Sequence, residues 1–297
     1  MELKKVELED RSLINKYLQM KKDKCCDMSF ADIYLWSRTY KVGYGFVEDC
    51  LVFGDLETAG SFSFPFGTEE NKKRAVAALE RETENQGLPF RLYLVTPSDF
   101  ALLETWYPGH FAITYDRDMA DYVYETEKLA TLSGKKYHGK KNHVNKFKSL
   151  YPDWSYEPIT DDNVEECFQM ALVWRRLNGC EDHEEKRAEM CVTLNALRLM
   201  KELELVGGLI RAEGRIVAFA IGEELNPDMF VVHIEKAFAD VPGAYPMINQ
   251  QFVLHEAMDY PYVNREDDTG SEGLRKAKES YRPVFLMEKG IAVPVSQ

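Results

Sequence analysis

No stretch of this sequence approaches the roughly 18 uninterrupted apolar residues of a membrane-spanning helix. The opening residues, MELKKVELEDRSL, have no apolar run behind their lysines, so they do not read as a secretory signal. No CxxC pair occurs among the six cysteines: Cys25 and Cys26 are adjacent, and Cys50, Cys167, Cys180 and Cys191 are scattered. That spacing argues against a disulfide framework and for reduced, structural thiols. Together these absences predict a cytoplasmic protein. A convincing catalytic nucleophile is also lacking, and no Pro/Gly/Ser-rich linker marks a domain boundary.

What is present is ordinary for a globular protein: 45% hydrophobic and 29% charged residues over 297 positions, a length that suits two domains. The formal net charge of -13 argues against nonspecific wrapping of nucleic acid but leaves room for one local basic site. Such a site is suggested by GKKYHGKKNHVNKFK, residues 134–148, which holds six lysines, two histidines and no acid. As a helix it has little apolar face beyond Val144, Phe147 and Leu150. His138 and His143 are five apart, which suits neither one helical face nor one strand face, so no metal site is expected. The clustered Lys135, Lys136, Lys140, Lys141 and Lys146 attract phosphates without reading sequence. Tyr137 and Phe147 could stack on a base. The same stretch also suits a basic surface helix neutralised by the acidic remainder, and both readings stand.

The first 130 residues read as helices and short strands in loose alternation. Helices are expected over about 10–20, through SFADIYLWSR, over 69–86 before Gly87, and from Pro97 to about Trp106. Strands are expected at YKVGYGFV, CLVFGD, SFSFPF, FRLYLV, FAITY and DYVYET. After the basic stretch, Tyr151-Pro152 stops a helix and WSYEPI forms a strand. Thr160 can cap a helix whose Val164, Cys167, Phe168, Ala171 and Leu172 share a face. A further helix covers about 184–201. Two apolar strands then meet at Glu213-Gly214, a two-residue hairpin signal. DMFVVHIEKA is a third strand, GAYPMINQQFVLHEAM a helix, YPYVN a strand, SEGLRKAKESY a helix and PVFLMEKGIAV the last strand.

Three meandering strands followed by strand-helix alternation is the order of the GNAT acyltransferase fold. The strings SGKKYHGKKNHVNKFKSLYPDW, GGLIRAEGRIVAFAIGE, VVHIEKAFADVPGAYPMINQQF and YVNREDDTGSEGLRKAKESYRPVFLMEK resemble the uncharacterised bacterial family related to the C-terminal catalytic domain of phosphatidylglycerol lysyltransferases. The resemblance is strongest over about 130–289. It implies an α+β fold of two tandem GNAT-like domains, each a mixed, mostly antiparallel sheet flanked by helices. A degenerate domain is expected over 1–130 and the site-bearing one over 131–297. The family's characterised membrane members move an amino acid from aminoacyl-tRNA to a lipid headgroup. The resemblance therefore implies an aminoacyl-tRNA donor, with acetyl-CoA as the alternative, and a small-molecule or lipid-headgroup acceptor. A GNAT-fold binding module without catalysis is the reading from another class.

Candidate site residues follow. In acetyl-CoA-dependent GNAT enzymes, a turn reading Arg/Gln-x-x-Gly-x-Gly/Ala holds the CoA pyrophosphate on its N–H groups. Here Gly243 and Ala244 occupy that turn, but Asp240, Pro242 and Tyr245 oppose it with an acid, a missing donor and a bulky ring. On the preceding strand, alternation places Val231, His233 and Glu235 on one side. A carboxylate orienting His233 would make it a proton acceptor, and a simple hydrogen-bonded pair fits the same residues. The string Asn264, Arg265, Glu266, Asp267 and Asp268 lies where the GNAT sheet splays open. Its acids could bind an ammonium or take a proton, and Arg265 could hold a carboxylate or phosphate. Thr269 to Glu272 fits a capping box. On the helix that follows, Arg275 and Lys278 share a face with Lys276 turned away, and Tyr281 stands where GNAT enzymes often place a general acid.

Overall fold

The computed structural model describes residues 2–295. The chain forms two compact units. One takes the chain up to Asp121, Asp267–Gly270 and the residues from Met287; the other takes Tyr122–Glu266 and Ser271–Leu286.

The first unit runs β1 (Lys4–Lys5), α1 (Arg11–Leu18), α2 (Phe30–Ser37), β2 (Val42–Val47), β3 (Cys50–Asp55), β4 (Ser61–Ser63), α3 (Glu69–Asn85), β5 (Arg91–Val95), α4 (Pro97–Trp106) and β6 (Phe111–Tyr115). Local chemistry sets the helix ends. The Thr68 hydroxyl accepts from Asn71 N–H at the start of α3, acids fill its first turn, and Gly87 follows its end at φ +66°. Thr96 and Asp99 form a reciprocal capping box on α4, with Pro97 in its first turn. Val76 and Leu79 of α3 are buried in a core shared with Val52, Phe64, Leu92 and Leu103.

The second unit runs β7 (Asp121–Glu125), α5 (Thr126–Thr131), α6 (His138–Leu150), β8 (Ser155–Pro158), α7 (Val164–Leu177), α8 (Glu184–Arg198), β9 (Val206–Ala212), β10 (Arg215–Asn226), β11 (Met229–Ala237), α9 (Ala244–Glu256), β12 (Tyr262–Asn264), α10 (Glu272–Glu279) and β13 (Phe285–Met287). The turn between β9 and β10 falls at Glu213 and Gly214, at φ +50° and +72°, as a two-residue hairpin requires. The chain ends in β14 (Gly290–Pro294), which belongs to the first unit.

Each unit holds one seven-stranded mixed sheet. The first has the order β1-β2-β3-β4-β5-β14-β6 and the second β13-β7-β12-β11-β10-β9-β8. Parallel pairing occurs at β4 with β5 across α3, and at β11 with β12 across α9; the other registered pairs are antiparallel. The two orders share a device. Beside the strand that follows the crossover helix, each sheet takes in a strand remote in sequence: β14 enters between β5 and β6, and β7 between β12 and β13.

Four sequence expectations differ from this architecture. The expected division at 130 falls inside α5, whereas the units part between Asp121 and Tyr122. PVFLMEKGIAV is two strands in two sheets, interrupted at Glu288-Lys289. Helix α10 begins after Ser271, with Thr269 at φ +47°, so Thr269 makes no capping box with Glu272. Asn163 rather than Thr160 precedes the first turn of α7, and its side chain accepts from Thr160 N–H.

Candidate functional site

The second sheet opens along one seam. Strands β11 and β12 pair only at Met229 with Tyr262, Phe230 with Val263 and Val231 with Asn264. Beyond Asn264 the parallel ladder ends, while β11 runs on to Ala237. On its other side β11 is bulged: Ile221 faces Ile234 and Gly222 faces Val232, which leaves His233 as the extra residue. Gly222 is required there, because a Cβ would lie 2.2 Å from the Val231 carbonyl oxygen. The bulge re-aims His233, and the open seam leaves its side chain and that of Glu235 to meet residues beyond the end of β12.

Two side-chain bridges cross the seam. In the first, His233 Nδ1 lies 2.8 Å from Glu266 Oε1 and Nε2 lies 3.0 Å from Glu223 Oε1. Burial alone would push the His233 pKa down, but the two carboxylates outweigh it and hold the imidazole well above its ordinary value. His233 is thus an imidazolium that donates both N–H groups. Glu266 sits in the left-handed region at φ +58°. Its N–H donates to the fully buried Asn264 Oδ1 at 2.7 Å, and its carbonyl accepts from Tyr122 N–H at 3.0 Å. A glutamate in that conformation is strained, and the surrounding bonds hold it.

In the second bridge, Arg265 Nη2 donates to both Glu235 oxygens, at 3.2 and 3.1 Å, and Asn249 Nδ2 donates to Glu235 Oε2 at 3.1 Å. The guanidinium carbon stands 4.7 Å from the Tyr281 ring centre and 5.7 Å from that of Tyr124. Lys140 Nζ, arriving from α6, stands 4.0 Å from the Tyr281 ring centre. Burial lowers the Lys140 pKa to about 8, helped by the like charge of Arg265 and opposed by Glu235. Lys278, buried on α10, donates to the Arg265 carbonyl, and its own carbonyl accepts from Tyr124 Oη at 2.8 Å. These bonds fix the segment 264–266 from both sides.

The second unit therefore brings together His233, Glu235, Asn264, Arg265, Glu266 and Tyr281. The carboxylates on His233 are Glu223 and Glu266, not Glu235, because the bulge separates the two strand neighbours. Asp267 and Asp268 belong to the first unit. There Asp267 Oδ1 accepts from Thr269 N–H at 3.1 Å, and Asp268, fully buried, accepts from Gly270 N–H at 3.0 Å and Arg117 Nη1 at 3.5 Å. Arg275 is half-buried on α10, and Lys276 faces solvent in an ion pair with Glu272 at 2.6 Å. Lys135, Lys136, Lys141 and Lys146 are exposed; of the predicted phosphate-binding lysines, Lys140 is the one turned partly inward.

Gly243 starts α9 at φ +88°, and α6 lies against it: a Cβ there would come 2.5 Å from the His143 carbonyl oxygen. Ala244 N–H donates to the Val241 carbonyl at 3.1 Å and Val241 N–H to that of Phe238 at 3.2 Å. Two N–H groups of this turn are thus committed internally, and Pro242 has none to give. Sequence reasoning missed Glu223, Asn249 and Tyr124. An acid directly after Gly222 at the end of an apolar strand was the one signal for Glu223.

In the first unit, ligand atoms of Cys26, Asp27 and Asp121 lie within 4.8 Å of one another. The ammonium of Lys289 bonds Asp27 and reaches Asp121 at 2.8 Å, so a lysine stands where a cation would go. All six cysteines are free thiols, Cys191 alone among them exposed. Among the described residues no helix is long and apolar enough to cross a membrane.

Residues 19–292 match the family model described as phosphatidylglycerol lysyltransferase, C-terminal. A crystal structure of a conserved protein of unknown function from Bacteroides thetaiotaomicron is 37% identical, with a TM-score of 0.91 over 99% of both chains. The C-terminal domain of a putative lysylphosphatidylglycerol synthetase from Agrobacterium fabrum is 16% identical, with a TM-score of 0.65 over 96% of this chain and 90% of that one. An acetyltransferase of the GNAT family from Colwellia psychrerythraea is 10% identical, with a TM-score of 0.52 over the whole of both chains, which extends the likeness of fold to the GNAT family. An uncharacterised protein of Mycoplasmoides gallisepticum is 26% identical over 173 residues, 57% of this chain and 54% of that protein, so the match spans about half of that relative.

Proposed function

The chain belongs to the phosphatidylglycerol lysyltransferase C-terminal family, and from that premise we propose that it is an acyltransferase that moves an aminoacyl group from aminoacyl-tRNA to an amine or hydroxyl acceptor. The observation that carries the chemistry is the Glu223–His233–Glu266 bridge across the open seam. His233 uses both ring nitrogens on carboxylates and has no lone pair left to accept a proton. Glu266, with its side chain 27% exposed, is the base the bridge presents. The acceptor's N–H or O–H attacks the ester carbonyl, Glu266 takes the proton, the acyl C–O bond breaks, and the departing ribose oxygen receives a proton from Glu266. No covalent enzyme intermediate is formed. The imidazolium fixes Glu266 and supplies positive charge beside it as the ester carbonyl becomes an oxyanion. The exposed lysines at 135, 136, 141 and 146 offer a sequence-independent surface for tRNA phosphates.

Acetyl-CoA suits this chain less well, since α6 crowds Gly243, two of the turn's N–H groups are committed and Pro242 has none. The test supplies the purified protein with radiolabelled mixed aminoacyl-tRNA or radiolabelled acetyl-CoA, together with a cellular small-molecule and lipid extract, and measures label transferred to the extract. Glu266→Gln should lower aminoacyl transfer by about 10²–10⁴-fold and leave filter retention of tRNA unchanged. Glutamates in place of Lys135, Lys136, Lys141 and Lys146 should weaken that retention most steeply at low salt. Transfer of acetyl label alone, or undiminished aminoacyl transfer by Glu266→Gln, overturns the reading.

A further inference from the structure

The second bridge holds more positive charge than its own residues neutralise. Arg265 gives Nη2 to Glu235, but its Nη1 is buried and has no hydrogen-bond partner. Buried polar groups are nearly always bonded, so an orphaned guanidinium nitrogen points to something absent. Lys140 reaches the same Tyr281 ring and has no carboxylate within ion-pair distance among the described residues, unlike the buried Lys289 and Lys236. Nearby, Asn249 is 1% exposed, and its Oδ1 lacks a partner while its Nδ2 is fixed on Glu235. Tyr281 is 4% exposed, and its hydroxyl makes no hydrogen bond to any described residue. Two cations stand at the edge of the open seam and one carboxylate pairs with only the first of them, in a protein that is otherwise strongly acidic.

We propose that Arg265 Nη1 and Lys140 Nζ form a subsite for an oxyanion, carboxylate or phosphate, on the acyl acceptor. A cationic ligand group would meet two like charges there, and a neutral one would leave both uncompensated. Asn249 Oδ1 adds a feature of its own: it needs a donor, so the ligand carries an N–H or O–H beside the anion. The assignment to the acceptor rests on the transfer reading above; the binding of an oxyanion does not.

The experiment is a calorimetric titration of the full chain with sodium phosphate and, separately, sodium acetate, at constant ionic strength against sodium chloride, with no tRNA present. Saturable binding of at least one of the two anions is expected. Tighter phosphate binding would identify a phosphoester acceptor and tighter acetate binding a carboxylate one. Lys140→Met should weaken binding by about tenfold to hundredfold, the loss of one charge-assisted hydrogen bond. This variant leaves the Arg265–Glu235 pair whole, so it remains informative should Arg265→Gln fail to fold. Acetate affinity should fall as pH rises through about 8 in the wild type, and Lys140→Met should flatten that fall. The other groups facing Lys140 are Arg265, Glu235 and Tyr281. Arg265 stays charged, and burial pushes Tyr281 far above that pH. No saturable binding of either anion, or binding undiminished in Lys140→Met, would mean that the orphaned groups hold water only and would overturn the subsite. Such a result would leave the Glu266 reading standing, since that is measured by transfer.

Discussion

Both units bury cations among acids, and the lysines of the first are balanced unlike the Arg265–Lys140 cluster of the second. In the first unit Lys289, 3% exposed, bonds Asp27, reaches Asp121 at 2.8 Å and Asp267 at 3.6 Å, and approaches the Cys26 thiol at 3.5 Å. Lys21 bonds Asp99 and lies 3.6 Å from Asp23. Acid outnumbers base around each of these lysines, and carboxylates close around the ammonium. In the second unit Arg265 pairs with Glu235 alone, and Lys140 beside it has no carboxylate at ion-pair distance among the described residues. Taking ions out of water is costly unless geometry and hydrogen bonds make up the loss. Around those lysines folding completes the balance of charge, whereas around Arg265 and Lys140 it leaves the balance open.

The largest test of this contrast removes residues 288–297. Without β14, strands β5 and β6 lose the neighbour that pairs with both, and Asp27 and Asp121 lose Lys289. The first unit should fail to fold, read as loss of protection of residues before Asp121 in limited proteolysis. Next is Lys289→Met in the full chain. It leaves buried carboxylates without their cation and should cost about 3–5 kcal/mol in urea unfolding. A change below about 1 kcal/mol, within the median of exposed pairs, would break the contrast from the first unit's side.

Titration separates the two networks by sign. The folded pKa of His233 is raised, so its contribution is complete below its ordinary 6.5 and is lost as pH rises above that towards the folded value. In that window stability should fall by up to about 1.4 kcal/mol per pH unit, and His233→Gln should flatten the slope. The folded pKa of Asp27 is lowered: burial works against this, but the Lys289 charge and hydrogen bond prevail. Its contribution is present above 3.8 and is lost as pH falls below that. A His233→Gln protein with the wild-type alkaline slope would show that the Glu223–His233–Glu266 bridge is not ionised as described. The smallest effect should come from Lys140→Met. It removes a partly buried cation with no carboxylate partner, and stability should stay within about 0.5 kcal/mol of wild type in urea unfolding.

Much of the fold was legible because its punctuation is local. Gly87, Thr96-Pro97, Glu213-Gly214 and Tyr151-Pro152 each end or begin an element where the sequence placed a break. The misreadings share a cause, which is that apolar or polar continuity carries no information about which sheet a residue joins. PVFLMEKGIAV is continuous enough to read as one strand, yet the charged pair Glu288-Lys289 is where the chain leaves one sheet for the other. NREDD read as a single polar site, but left-handed backbone at Glu266 and again at Thr269 turns the chain, and the string divides between the units. Period-two alternation put His233 beside Glu235, and a bulge opposite Gly222 undid it. Lys140 was more accessible than it was taken to be. It stands three residues after Tyr137 and four before Val144, with Phe147 three further on, so it lies on the one buried face of that basic helix.

The interleaving of remote strands also sets an order of events in the cell. Residues 91–95 and 111–115, which form β5 and β6, leave the ribosome long before residues 290–294 exist. At roughly 5–20 residues per second, the interval is on the order of ten seconds or more. Through that interval the strands that will flank β14 have no partner on that side, and open strand edges recruit whatever chain is near. The second sheet waits as well: β7 is made early, but its neighbours β12 and β13 come only at residues 262–264 and 285–287. Both sheets are therefore completed by strands made within ten residues of one another, and in each the early strands need guarding until residues 285–294 have been made.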